Sequence, residues 1–341
     1  MELRPTRPDE PGITRRRHGR GFRYFGPDGS PLRDPGELAR IKALVIPPAW
    51  TDVWICQDPA GHLQATGTDA AGRRQYRYHD QWRIQQDQEK FQRMIDFAGV
   101  LPKIRETVTE HLAGRGYTRE RVLAAAVRLL DLGLFRAGGE EYAAGNGTYG
   151  LATLLREHVH CSRHQVTFDY LAKGAKQRAQ TIAEPGVCAV VTGLKRRRGG
   201  GPELLAYREG KGWHDVQTSD INAYLQEISG GDYTAKDFRT WHATVLAAVG
   251  LAVSTRNADG SAAARRRAEA RVVAEVAHYL GNTPAVARSS YIDPRVVEAY
   301  EAGTTVQHAL TELGADSDPG EMATEGQVER AVRRLLQRRT R

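Results

Sequence analysis

Residues 72–100 read GRRQYRYHDQWRIQQDQEKFQRMIDFAGV, and the character of the chain changes in the middle of them. Up to Tyr78 the run is aromatic and basic, as strands often are. From about residue 79 the apolar residues Trp82, Ile84, Phe91, Met94, Ile95 and Phe97 are spaced among Gln, Lys and Asp as on a helix. Upstream the same strand-like character continues in short runs broken by Gly, Pro and Asp: GFRYF, GPDGSP, WTDVWIC, DPAG, HLQATGTD and AAGRRQYRY. This predicts a small sheet domain over residues 1–90, with a boundary near residue 90 that can fall inside a helix.

Downstream, helical spacing predicts helices over 103–113, 119–134, 219–228, 237–249, 265–280, 294–301 and 324–339. LLREHVHC, QVTFDYLAK and VCAVVTGL, within residues 150–192, read as strands inserted among them. The expected fold class is α+β: a small, mainly β N-terminal domain and a larger, mainly α domain over 91–341 carrying a small inserted sheet. A length of 341 residues suits two domains, each with its own core.

The charge narrows the function. Lys and Arg number 49 against 41 Asp and Glu, a formal net charge of +8, which points to a polyanionic partner. The basic residues recur in clusters at Arg15 to Arg17, Lys195 to Arg198, Arg265 to Arg267, and the tail Arg333, Arg334, Arg338, Arg339 and Arg341. Only 8 of the 49 are lysine, so a lysine inside a motif stands out, while guanidinium suits two-oxygen contacts to phosphate. No run of 18 apolar residues exists to span a membrane, and the basic N-terminus has no apolar stretch behind it to make a secretory signal. A cytoplasmic protein is expected, nucleoid-associated if bacterial. Cys56, Cys161 and Cys188 are odd in number and widely spaced, as reduced thiols are.

Three short motifs lead elsewhere. GNGTYG at 145–150 matches a dinucleotide fingerprint by letter, but follows no predicted strand and opens no helix, so it reads as a loop. His158, His160, Cys161 and His164 crowd together, but no second group of acids or thiols completes a metal set, and no metal is expected. KRRRGGGP at 195–202 lacks the order of a phosphate-cradling loop and reads as a basic loop.

A phosphodiester can be handled without metal by a nucleophile, cationic donors for the non-bridging oxygens and an acid for the leaving oxygen. GLFRAGGEEYA places Arg136 just after a helix end, and DYLAKGAK places Lys173 at a strand end beside a glycine turn. KDFRTWHAT puts Arg239 in the first turn of a helix, and LGNTPAVARSSYIDP sets Asn282 nine residues before Tyr291. Gly281 marks a helix stop, and Thr283-Pro284 and Asp293-Pro294 each cap a new helix, so Tyr291 ends a short helix between two breaks.

In combination these segments resemble the type IB DNA topoisomerases, specifically the small poxvirus-like and bacterial branch. The resemblance covers nearly the whole chain: GRRQYRYH with Trp82, KFQRMIDFAGVLPKIR, LFRAGGEEYA, TYGLATLLREHV, LAKGAK, KDFRTW and GNTPAVARSSYIDP. It implies a catalytic domain shared with the tyrosine recombinases, preceded by a DNA-clamp domain. Within it Tyr291 would be the nucleophile, Arg136 and Arg239 the arginines, Lys173 the general acid and Asn282 the fifth catalytic residue. GRRQYRY matches the family segment that contacts DNA, which makes Arg73, Gln75, Tyr76 and Tyr78 binding candidates. The implied activity is relaxation of supercoiled duplex DNA through a 3′-phosphotyrosyl intermediate, by a monomer needing neither ATP nor any cofactor.

One position departs from much of the family, where histidine stands in place of Asn282. An amide can replace a ring N–H if the role is hydrogen-bond donation. His278, thirteen residues before Tyr291, reads as a packing or supporting residue. Two other classes stay open to test. A site-specific recombinase would exchange strands between two duplexes, and an architectural DNA-binding protein would leave no covalent adduct.

Overall fold

The computed structural model describes residues 2–133, 135–139, 147–255, 261–312 and 326–338. Gly145 and Asn146 of GNGTYG, residues 140–143 of LFRAGGEEYA with Leu134, the ends of the helix expected over 324–339, and Arg339 and Arg341 of the basic tail lie outside them. The chain divides into two compact units, residues 1–92 and 93–341.

The first unit is a five-stranded antiparallel sheet, β1 (Ile13–His18), β2 (Gly21–Phe25), β3 (Thr51–Ile55), β4 (Leu63–Thr68) and β5 (Arg74–Tyr78), in the order β2-β1-β3-β4-β5. One face buries Ile13, Val53, Ile55 and Ala65 against Ile41 of helix α1 (Pro35–Ala43), whose first turn is capped by Asp34. Arg15, the first of the basic cluster, is a structural tie. It donates to the carbonyls of Pro47 (2.6 Å) and Trp50 (2.9 Å), and its guanidinium lies over Phe22.

Helix α2 (Asp80–Leu112) runs across the division between the units. It is continuous through Pro102, which removes one helical donor and explains why the pattern reads as two segments. In the second unit its Phe97, Leu101, Ile104 and Val108 are buried at helical spacing. The other helices are α3 (Arg119–Gly133), α4 (Pro185–Lys195), α5 (Thr218–Ser229), α6 (Ala235–Thr255), α7 (Ala262–Leu280), α8 (Pro284–Ser290), α9 (Pro294–Glu301), α10 (Gln307–Glu312) and α11 (Gly326–Gln337). α6 is central, packing on α3, α5, α7, α9, α10 and α11.

The inserted sheet is β6 (Val159–Cys161), β7 (Val166–Ala172) and β8 (Lys176–Ile182), antiparallel in that order. VCAVVTGL, expected as a strand, is helix α4. Its buried Val187, Val190, Val191 and Leu194 follow the helical interval, Pro185 occupies the first turn, and Glu184 accepts from the Val187 N–H at 2.6 Å. Its β-branched composition suggested strand, and spacing and cap decide for helix. A hairpin of β9 (Ala206–Glu209) and β10 (Gly212–Asp215) was not expected. Arg197, within the basic loop KRRRGGGP, is buried and donates to the carbonyls of Leu204 (2.8 Å) and Glu203 (2.6 Å), tying that loop together.

Buried ions join α2, α3, α6 and α11. Arg105 donates to both oxygens of Asp131 (2.8 and 2.9 Å) and to Glu329 (2.5 and 3.0 Å). His242 Nε2 lies 3.0 Å from Asp131, and Trp241 Nε1 donates to Glu329 at 2.9 Å. Asp131 is held well below the usual carboxylate range. Burial works against ionisation there, but hydrogen bonds from His242 and Arg105 and the Arg105 charge outweigh it.

Candidate active site

The second unit brings Arg136, Lys173, Arg239 and Tyr291 to the wall of one open cleft of about 320 Å³, together with Ala137 to Gly139, Thr148 to Gly150, Ala235 and Lys236. Each arrives from a different element. Arg136 follows the end of α3, in a segment paired with residues 150–152 through Leu151 N–H to Arg136 O and Ala152 N–H to Ala137 O, both 2.8 Å. That pairing needs two glycines. Gly138 has φ +105°, and a Cβ on Gly150 would fall 2.4 Å from the Gly138 Cα.

Lys173 is exposed at the tip of the β7–β8 hairpin, beside Gly174 at φ +80°. Arg239 lies in the second turn of α6 and not in the expected first turn, because the helix starts at Ala235, two residues before the expected start at Asp237. It is only 4% exposed, and donates to Leu280 O at 2.9 Å. Asn282 follows the left-handed cap Gly281, and its side-chain oxygen accepts from Arg136. Its Nδ2 is buried with no hydrogen-bond partner among the described residues.

Tyr291 caps α8, fixed by Thr244 of α6, whose hydroxyl donates to Tyr291 O at 3.1 Å and accepts from Asp293 N–H at 3.2 Å. The Arg239 guanidinium carbon is 5.4 Å from the centre of the Tyr291 ring. Burial alone would push the Tyr291 phenol up, but the charges of Arg239, Arg136 and Lys236 outweigh it and hold it below the usual value. Tyr170, which lines a smaller hollow with Arg136, Lys173, Arg178 and Arg239, is pushed up by burial. Of the two phenols, Tyr291 is the more acidic. Arg239 is pushed down to about 10, first by burial and then by Arg136.

Lys236 and Arg178 were not singled out in the sequence. Lys236 is legible only as the first letter of KDFRTW, and Arg178 sits in KQRAQTI, whose mixed polar residues give no strand signal. His278 is exposed beside Asn282 on the wall of a neighbouring groove, so it is not a packing residue.

The binding candidates belong to the first unit. Strand alternation exposes Arg74, Tyr76 and Tyr78 on one face of edge strand β5, with the two tyrosine rings stacked at 6.2 Å. Tyr76 is 50% exposed. Arg73 pairs with Asp69, and Gln75 donates to the same carboxylate, so these two brace the preceding turn. Arg74 shares the tyrosine face and was passed over. Of the histidine cluster, His158 packs on Tyr149 with ring centres 4.4 Å apart. Among the described residues no group of three His, Cys, Asp or Glu side chains gathers to hold a metal, and no helix is long and apolar enough to cross a membrane.

A family model described as eukaryotic DNA topoisomerase I, catalytic core, matches residues 79–317, which include all five candidate catalytic residues. A second, described as bacterial DNA topoisomerase IB, N-terminal domain, matches residues 21–69. Together they define the class, a type I DNA topoisomerase core joined to a bacterial-type N-terminal sheet. DNA topoisomerase 1B of Acanthamoeba polyphaga mimivirus is 30% identical over 296 residues, 85% of this chain and 88% of the viral protein. DNA topoisomerase 1 alpha of Arabidopsis thaliana is 28% identical over 175 residues, 51% of this chain but 18% of the longer plant protein. The chain belongs to the type IB DNA topoisomerases, and it is an enzyme of that class.

Proposed function

We propose that the enzyme relaxes supercoiled duplex DNA by cutting one strand through Tyr291, letting the strand rotate, and resealing it. The observation that carries this is the Tyr291 phenol, held below its usual pKa in a cleft lined by Arg136, Lys173, Lys236 and Arg239. The Tyr291 phenol gives up its proton to solvent, its oxygen attacks phosphorus in line, the P–O5′ bond breaks, and a 3′-phosphotyrosyl ester forms. Arg136 and Arg239 neutralise charge on the non-bridging oxygens. Asn282 adds a donor, oriented by the hydrogen bond its side-chain oxygen accepts from Arg136. Lys173 gives its proton to the departing 5′ oxygen, a poor leaving group without one. Since one phosphoester replaces another, the bond energy is kept and resealing needs no ATP. The cations supply the charge that a metal supplies in other phosphoryl transfers.

The first unit acts as the DNA clamp in this reading, with Tyr76, Tyr78 and Arg74 on the contacting face and Arg73 and Gln75 shaping its edge. The enzyme works as a monomer on a single duplex.

The test is plasmid relaxation in EDTA without ATP, with detergent trapping of the covalent complex. Wild-type enzyme is expected to relax the plasmid and be trapped at the 3′ end. Tyr291→Phe is expected to bind duplex normally, because affinity comes from distributed phosphate contacts, and to give no adduct. An adduct in that variant removes Tyr291 from its role.

A further inference from the structure

Lys173 is exposed at a hairpin tip, so its position depends on how the hairpin is seated. The tip itself is sharply turned, with Gly174 and Ala175 both at positive φ. Below it, alternate residues of β8 face inward, and two of them reach helix ends. Arg178, opposite Tyr170 in the strand register, donates to Tyr279 O at 2.8 Å and lies against Gly281, where a Cβ would come within 3.0 Å of its guanidinium. Gln180, two residues on, donates from its side-chain amide to Gly133 O.

These two carbonyls belong to the helix ends from which the site emerges. Tyr279 precedes Asn282 by three residues at the end of α7, and Gly133 precedes Arg136 by three at the end of α3. Arg136 and Asn282 are themselves hydrogen-bonded, so the contacts close a ring: α3 end, Arg136, Asn282, α7 end, Arg178, β8, Gln180 and back to α3. Electrostatics argues against a purely stabilising purpose for Arg178. Burial pushes its guanidinium down, Tyr170 works against that and the charge of Arg136 adds to it, so the place is not one that favours a cation.

We propose that Arg178 and Gln180 are positioning residues that set where the Lys173 ammonium stands for proton transfer to the leaving oxygen. The proposal rests on the acid role of Lys173, and the experiment separates the two. Single-turnover cleavage is measured on a duplex with the ordinary 5′ oxygen, and on one with sulfur at that bridging position, a leaving group that needs no acid. Lys173→Ala, Arg178→Ala, Arg178→Lys, Gln180→Ala and the Lys173→Ala/Arg178→Ala double variant are compared, with duplex affinity measured alongside.

Acid catalysis is worth roughly 10²- to 10⁴-fold. Arg178→Ala and Gln180→Ala, which misplace the acid without removing it, are expected to slow the oxygen substrate by about 10- to 100-fold. On the sulfur substrate both are expected to stay within about threefold of wild type, with affinity unchanged on either duplex. Arg178→Lys, which retains a donor, recovers part of the loss. The double variant is no slower on oxygen than Lys173→Ala alone, as for residues acting through one group. Equal slowing of both substrates by Arg178→Ala and Gln180→Ala, beside a sulfur-rescued Lys173→Ala, overturns the positioning role alone, as does a multiplicative double variant. A Lys173→Ala enzyme equally slow on both substrates overturns the acid role and the proposal with it.

Discussion

Two arginines, Arg239 on α6 itself and Arg105 in the network that anchors that helix, are treated in opposite ways. Arg105 meets two buried carboxylates, Asp131 and Glu329, and its pKa is raised: burial disfavours the charge, but those hydrogen bonds and charges more than offset it. Arg239 meets a backbone carbonyl and the face of Tyr291, with Arg136 nearby, and is pushed down to about 10 by burial and then by that second guanidinium. Trp241 and His242, two and three residues beyond Arg239 on the same helix, belong to the Arg105 network. One helix thus carries a candidate catalytic cation while anchored by a network in which charge is matched by charge. In the matched cluster every buried charge has its partner, so removing any one strands the others. In the cationic cluster Arg136 lowers Arg239, and in the proposed function a DNA phosphate answers that charge.

The comparison breaks most visibly at Arg239. Arg239→Ala is expected to cut single-turnover cleavage by roughly 10³- to 10⁵-fold, the scale of an arginine that steadies a transferring phosphoryl group. Its thermal midpoint should move little beside that loss of rate, since the change relieves crowding with Arg136 while leaving Leu280 O unpaired. A clear fall in midpoint matching the loss of activity would make Arg239 structural. Arg105→Ala is expected to do the reverse. Leaving Asp131 and Glu329 buried without their cation should cost about 3–5 kcal/mol in denaturant unfolding, while folded enzyme at low temperature keeps its cleavage rate. Cleavage lost in a variant that remains folded would merge the two regions into one.

Asn282 sharpens the catalytic side. Its oxygen is occupied by Arg136 while its Nδ2 is buried without a partner among the described residues, a costly state that a phosphate oxygen would relieve. Asn282→Ala is expected to lose roughly 10- to 10³-fold in cleavage rate with affinity little changed, less than either arginine. Asn282→His should retain most activity, since a ring N–H can take over the donor role. Native-rate cleavage by the alanine variant would mean that this position does not reach the phosphate.

The two regions also differ in how far the sequence reveals them. Arg136, Lys173, Arg239, Asn282 and Tyr291 stand beside helix ends and glycine turns, and those breaks are written in the residues themselves, as Gly281 and Thr283-Pro284 show. Arg105, Asp131, His242 and Glu329 lie within helices and come together from four separate elements, so no local pattern marks them. Arg178 was hidden for a related reason: KQRAQTI becomes a strand because it pairs with β7, a tertiary choice that overrides weak local preference. The β-branched composition of α4 reads as strand, and only its buried interval and its cap disclose the helix. The basic clusters gave the charge and not its use, since Arg15 and Arg197 bind backbone carbonyls within the fold.

The smallest expected effect is on acid stability. Asp131 has its folded pKa held far below the usual carboxylate value, with burial overcome by His242 and Arg105. A group depressed on folding contributes stability that is fully present above its unfolded pKa, near 3.9, and is lost as pH falls toward the folded value. In that window the unfolded chain binds a proton at this site that the folded chain does not, so unfolding free energy should drop by about 1.4 kcal/mol for each pH unit. Asp131→Asn removes that proton difference. It should be less stable than wild type at pH 7, and its curve of unfolding free energy against pH should be shallower below pH 4, so that the two proteins converge in acid. The Arg239→Ala curve should run parallel to wild type over the same range, because Arg239 stays protonated throughout it. Parallel wild-type and Asp131→Asn curves would show that the acid sensitivity of the fold arises elsewhere, and that the Arg105 cluster is held by packing more than by its charges.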